Sequence, residues 1–183
     1  MSSRPSLTFW IGILTFSMLP SIALADPAED LALGIAAFDK EDVITAMAYF
    51  TKAAEKNYAP AQVRLGELLD SSEYDKEAAE WYRKAAEQGY APGEYALGHM
   101  YSKGEGVEKN NERALYWFKR ASAKNELLAV RTLAQAYRKG ELGLAIDLDK
   151  AKLYEDNANI LETVARRAEA KKAAELNKKG AGK

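Results

Sequence analysis

The sequence predicts an all-α fold, an α-α superhelix (solenoid) of about four helical hairpins with a long C-terminal capping helix. Three observations predict it. A Leu-small pair recurs as Leu33-Gly34, Leu65-Gly66, Leu97-Gly98 and Leu133-Ala134, at steps of 32, 32 and 36 residues. An aromatic four residues before an alanine recurs as Tyr49 and Ala53, Trp81 and Ala85, Trp117 and Ala121, Tyr154 and Ala158, at steps of 32, 36 and 37. The turn texts Asn57-Tyr-Ala-Pro60 and Gly89-Tyr-Ala-Pro92 fall between them at the same interval. Self-similarity at 30–40 residues signals stacked supersecondary units, none of which can bury its apolar face alone.

Each unit reads as an A helix followed by a B helix. Helix A1 is expected over about 27–38, with Pro27 in its first turn and Glu29 and Asp30 at the positive end of its dipole. Helix B1 carries Ala46, Tyr49, Phe50, Ala53 and Ala54 at helical spacing. A2 is expected over about 60–70 and B2 over about 75–88, stopped by Gly89. A3 covers about 92–102. Asn110 or Asn111 caps B3, which runs to about 124, and A4 covers about 126–138. From about 149 a last helix can continue to 176, with Ala151, Tyr154, Ala158, Leu161, Ala165 and Ala168 as its stripe. The small residues of the Leu-small pairs are expected to admit a neighbouring helix. The marker aromatics are expected to fill the space between helices, so that Trp81→Ala would cost roughly 3–5 kcal/mol.

These residues resemble the Sel1-like repeat family, a relative of the tetratricopeptide repeats. The match is closest at Ala78, Trp81, Tyr82, Lys84, Ala85, Ala86, Gly89, Leu97, Gly98, Tyr101, Gly104, Gly106, Val107, Ala114, Trp117, Phe118 and Ala121, and it extends over about residues 27–160. The first two units lack the family's Gly-x-Gly-Val loop, and the fourth has Gly140-Glu-Leu-Gly143-Leu-Ala-Ile in its place.

The 183 residues suggest one domain, and 48% hydrophobic with 29% charged residues is ordinary for a globular chain. There is no cysteine, so disulfides and thiol chemistry are excluded. Residues 1–25 read as a secretory signal peptide: Arg4, an apolar run from Leu7 to Leu19, Pro20, then Ala23-Leu24-Ala25 as the cleavage site. The run of 13 residues is shorter than the roughly 20 needed to cross a bilayer. Without Arg4 the balance is 25 basic to 27 acidic residues, against nucleic-acid binding. The solenoid is expected over 26–162, in units of about 27–57, 58–89, 90–124 and 125–160. A basic helical tail follows over 163–183.

No nucleophile elbow, zinc-binding helix or phosphate loop is present, and the single histidine, His99, has no metal partner in sequence. The expected chemistry is therefore binding, with no catalytic residue, cofactor or metal. In tetratricopeptide-like solenoids the A helices line the concave face. By that resemblance the partner-binding residues are Leu31, Ile35 and Phe38; Val63, Glu67 and Asp70; Tyr95, His99 and Ser102; Arg131, Gln135 and Arg138. The groove would run from apolar through acidic to basic, holding a partner's acidic group near Arg131 and Arg138. Alternatively, Leu31, Ile35 and Phe38 cap the first unit's core.

The resemblance implies a protein or peptide partner in the cell envelope, periplasmic in a bacterium, with this chain as an exported adaptor. Two rival readings are an envelope enzyme acting on peptidoglycan or β-lactams, and a wall- or membrane-associated scaffold using the basic tail.

Overall fold

The computed structural model describes residues 26–180. The signal-peptide reading falls on residues 1–25, outside the described residues, as do residues 181–183 of the tail. The described residues form eight helices: α1 Pro27–Phe38, α2 Val43–Glu55, α3 Ala59–Asp70, α4 Asp75–Glu87, α5 Ala91–Lys103, α6 Asn111–Ser122, α7 Leu127–Lys139 and α8 Leu148–Gly180. No strand occurs among them. Each odd-numbered helix packs chiefly on the even-numbered helix that follows it, and each even-numbered helix then packs on the next hairpin.

Local chemistry sets the helix ends. Asp26, Asp42 and Asn110 accept hydrogen bonds from the backbone N–H groups of Ala28, Thr45 and Arg113, capping α1, α2 and α6. Pro60 and Pro92 lie in the first turns of α3 and α5, where a missing N–H costs nothing. The chain leaves each of the first three B helices through one left-handed residue: Asn57 (φ 59°), Gly89 (φ 77°) and Asn125 (φ 62°). In the third unit's longer loop, Gly106 (φ 64°) lies against the start of α4. A β-carbon there would fall 2.0 Å from the Asp75 carbonyl oxygen, so no larger residue fits.

The interhelical filler is one residue on from the marker aromatic. Phe50 and Phe118 are almost completely buried and Tyr82 nearly so, while Tyr49, Trp81 and Trp117 are half-buried at the helix surface. A β-carbon on Gly34 would lie 2.5 Å from the Phe50 ring, one on Gly66 2.5 Å from the Tyr82 ring, and one on Gly98 2.9 Å from the Phe118 ring. The glycine of each Leu-small pair therefore makes room for a ring from its own hairpin. Close backbone approach between units occurs instead at Gly93, whose β-carbon would lie 3.1 Å from the Ala86 nitrogen. The fourth hairpin has Glu155 at the ring position and, opposite, Ala134 where the others have glycine.

The core is two buried clusters, one centred on Phe50, Ala53, Leu65 and Leu68, the other on Tyr82, Leu97, Phe118 and Leu133. The second takes in the half-buried Val107, which plugs the loop of the third unit. Leu65, Leu97 and Leu133 are buried, whereas Leu33 is 43% exposed, with no other described helix lying over it on the N-terminal side. In α8, Ala151 and Ala158 are buried and Tyr154 stacks on Tyr137 with ring centroids 5.8 Å apart. Burial ends after Glu162: Ala165 and Ala168, expected to continue the stripe, are exposed, because α7 supplies no surface beyond that point.

Candidate functional site

The twelve A-helix residues expected to line the concave face fall into three groups. At the N-terminal end, Leu31 and Ile35 pack against the first core cluster. Phe38 is half-exposed beside Phe50, with the Arg64 guanidinium 5.7 Å from its ring centroid. A cation over a ring face is attracted by the ring quadrupole, so Arg64 partly covers this apolar end.

In the middle, Val63, Glu67, Asp70, Tyr95 and His99 come together around a cleft of about 240 Å³. The remaining lining comes from Tyr82, Pro92, Ala96, Met100, Glu126 and Leu128, so α3, α4, α5 and the start of α7 all contribute. Ser102 is not part of it; its hydroxyl donates to the His99 carbonyl, 2.8 Å away. A second, more open cleft shares Glu67, Asp70 and Tyr82 and adds Ser71, Glu73, Asp75 and Glu105. Burial pushes the Asp70 carboxyl above its usual range, and the nearby charges of Glu105 and Asp75 push the same way. His99 Nδ1 is 3.9 Å from Glu105 Oε2, and Arg64 is 2.9 Å from Glu67. Among the described residues no three metal-ligating groups converge on one point.

At the C-terminal end, Arg131, Gln135 and Arg138 border a cleft of about 300 Å³ with Ala134, Lys139, Glu155, Ala158 and Asn159. The two arginines are already paired, Arg131 with Glu162 and Arg138 with Glu155 of α8. The basic end of the groove is thus neutralised by the capping helix. The A-helix sequences carry no sign of this, because the compensating carboxylates lie 31 and 17 residues further on.

A recurring polar contact also runs through the first three hairpins. Asp30, 1% exposed, receives Lys52 at 2.6 Å and Lys56 at 2.7 Å. Thirty-two residues on, buried Gln62 accepts from Gln88 at 2.7 Å and donates to the Ala54 carbonyl at 3.2 Å. Thirty-two further on, fully buried Glu94 receives Lys124 at 2.7 Å and Arg120 at 2.9 Å through one oxygen. Its other oxygen, Oε2, has no partner. In the fourth hairpin the corresponding residues are Val130, Asn157 and Leu161. These positions escape a search for apolar periodicity, since they are polar on the buried face. A polar residue four before each small residue, at the repeat interval, is the signal that finds them.

The hydrogen bonds from Lys52 and Lys56 hold the Asp30 carboxyl below its ordinary range. Its stabilising contribution is therefore complete above the unfolded pKa, about 3.9, and is lost as pH falls through the lower folded value. Between pH 5 and pH 3, Asp30→Asn is expected to flatten the acid limb of thermal stability relative to the parent chain, measured by circular dichroism. An unchanged limb would show that other carboxylates govern acid unfolding.

Among the described residues no helix is long and apolar enough to cross a membrane. The profile of the Sel1 repeat matches residues 34–58, 59–90 and 91–126. The chain is similar to a Sel1 repeat protein from Oxalobacter formigenes, at 27% identity and a TM-score of 0.66, over 74% of this chain and 41% of that one. It is also similar to c5321, a protective antigen of uropathogenic Escherichia coli with an SLR fold, at 29% identity and a TM-score of 0.67, over 80% of this chain and 34% of that one. The chain thus spans well under half the length of these two solved structures. Comparison with curated proteins finds none that matches.

Proposed function

Since this chain belongs to the Sel1 repeat family, whose fold generally serves protein–protein contact, we propose that it is an exported adaptor holding a partner segment along its A-helix face. The observation that carries this reading is the middle cleft, where residues of three successive A helices surround one concavity of apolar floor and charged rim. Ligand-binding concavities are commonly built this way, mostly apolar with a few convergent polar groups. The partner lies with an apolar anchor at the Leu31, Ile35 and Phe38 end and an acidic group near Arg131 and Arg138. Ion pairs between exposed groups are worth little, so a partner carboxylate can displace Glu162 and Glu155 at small cost.

Capture from a cell-envelope fraction with the mature chain, followed by cross-linking, tests this reading. Cross-links to A-helix residues are expected, and cross-links confined to the B helices would overturn it. The double variant Arg131→Ala with Arg138→Ala is expected to weaken the captured partner roughly fivefold, two rim charges at about 0.5 kcal/mol each. Export rests on the signal-like residues 1–25; N-terminal sequencing of the secreted protein is expected to begin at Asp26. A second contact is favoured by α8, which continues past Glu162 as an exposed helix bearing Arg166, Arg167, Lys171 and Lys172. Salt-sensitive binding to anionic vesicles, lost without residues 163–183, tests it.

A further inference from the structure

Phe50, Tyr82 and Phe118 occupy the same position in three successive hairpins, each ring lying against a glycine of its own A helix. Packing is satisfied there by phenylalanine twice, so the hydroxyl of Tyr82 is not needed to fill the hairpin. Tyr82 as a whole is 3% exposed, yet it lines both the middle cleft and the open cleft beside it. Its hydroxyl has no hydrogen-bond partner among the described residues. That hydroxyl is not sealed from solvent, and a hydroxyl without a protein partner on the wall of an open cleft can both donate to and accept from a ligand group there.

The surroundings define that group. Glu67, Asp70 and Glu126 border the middle cleft, and Tyr95 offers a ring face. The nearby cation, Arg64, already serves Glu67, and the His99 ring lies beside Glu105 at 3.9 Å. The carboxylates do not converge as a metal site requires. They are spread around the rim, which suits a planar cation with several donors and not a point charge. A guanidinium has that form, and it also stacks on aromatic rings.

We propose that this cleft binds an arginine side chain of a basic partner segment, its guanidinium donating to the Tyr82 hydroxyl and the Asp70 and Glu67 carboxylates while lying over Tyr95. The inference deepens the adaptor reading and rests on it. It gives the centre of the groove its specificity, whereas the ends supply an apolar anchor and an internally neutralised basic cap.

The test uses N-acetyl-arginine amide and its uncharged counterpart, the citrulline amide, titrated into the isotope-labelled mature chain. Saturable amide shifts are expected at Tyr82, Tyr95 and His99 with arginine and none with citrulline. Tyr82→Phe should keep the melting temperature, as the residue already standing in two sister hairpins, and weaken arginine binding about tenfold, the size of one lost hydrogen bond to a charged group. Asp70→Asn provides a second variant whose loss of binding does not depend on the ring. Equal binding of citrulline, wild-type arginine affinity in both folded variants, or the same shifts produced by magnesium chloride in place of arginine would each overturn the proposal. If arginine fails to bind while the captured partner still cross-links to the A helices, this inference falls and the adaptor reading stands. If arginine binds but partner cross-links avoid the A helices, the adaptor reading falls instead.

Discussion

Replacing Phe118 by alanine is expected to cost about 4 kcal/mol, the middle of the range for removing a large buried aromatic. The ring is 1% exposed, packs on Gly98 and lies 5.7 Å from the Tyr95 ring. It belongs to the larger core cluster, which spans three hairpins, so the cavity would be lined by rigid neighbours that cannot all collapse into it. Trp117→Ala, one residue away, should cost only about 2 kcal/mol, because that indole is half-exposed and is covered by the Arg120 guanidinium at 5.1 Å. Chemical denaturation of the two variants measures the difference. An equal or inverted order would show that the marker tryptophan, not the ring beside it, holds the hairpin together. A domain of ordinary stability retains little margin after a loss of 4 kcal/mol, so Phe118→Ala is also expected to express poorly.

Glu94→Ala is the second large effect, about 3 kcal/mol. Removing one member of a buried ion pair leaves the other charges uncompensated, and the cost is 3–5 kcal/mol when all partners are buried. Here Arg120 and Lys124 are each 39% exposed and keep contact with water, which places the loss at the lower end. Lys124 also donates to the Gly89 carbonyl at 2.7 Å, so it ties the buried carboxylate to the turn between the second and third hairpins. Loss of Glu94 frees that lysine and loosens the turn. Glu94→Gln should cost less, about 1 kcal/mol, because an amide still accepts from one cation. Urea titrations of both variants check this. If alanine costs no more than glutamine, the contact contributes through shape alone.

The fold was legible because repetition makes the sequence argue with itself. Leu65, Leu97 and Leu133 are buried at their repeat interval, and every helix from α1 to α8 lies where the apolar spacing and the turn residues place it. Pro60, Pro92, Gly89 and Asn110 mark boundaries for stereochemical reasons that no tertiary contact overrides. What the marker aromatics conceal is direction. Two adjacent aromatics, Trp81 and Tyr82 or Trp117 and Phe118, differ by about 100° around a helix. Spacing alone does not say which one turns inward; the opposing glycine does, and only once the two helices are docked.

The candidate site was less legible. Its A-helix residues are at repeat positions, but their charge is decided by distant partners: Glu155 and Glu162 cancel the arginines that the local sequence leaves free. Tyr82 was legible only as part of the family match, neither as the packing ring nor as a lining residue, because its neighbour Trp81 carries the repeat marker. Asp30 read as a helix-start carboxylate and Gln62 and Glu94 carried no signal of apolar periodicity; their burial follows from the B helix that folds back over them.

Near-identical hairpins run a particular risk during folding, since a helix can dock on the wrong neighbour with little loss of apolar contact. The buried polar positions differ from one hairpin to the next: carboxylate against two lysines, amide against amide, carboxylate against arginine and lysine, then valine opposite asparagine and leucine. A slip of one hairpin would set Gln62 against the lysines meant for Asp30 and leave that aspartate buried and charged without its full complement. Mispairing α5 with α8 would bury Glu94 opposite Asn157 and Leu161 with no cation at all. Each hairpin thus carries its own key, and the cost of a slipped assembly falls on charge, where the penalty is steep, and not on packing, where the repeats are interchangeable.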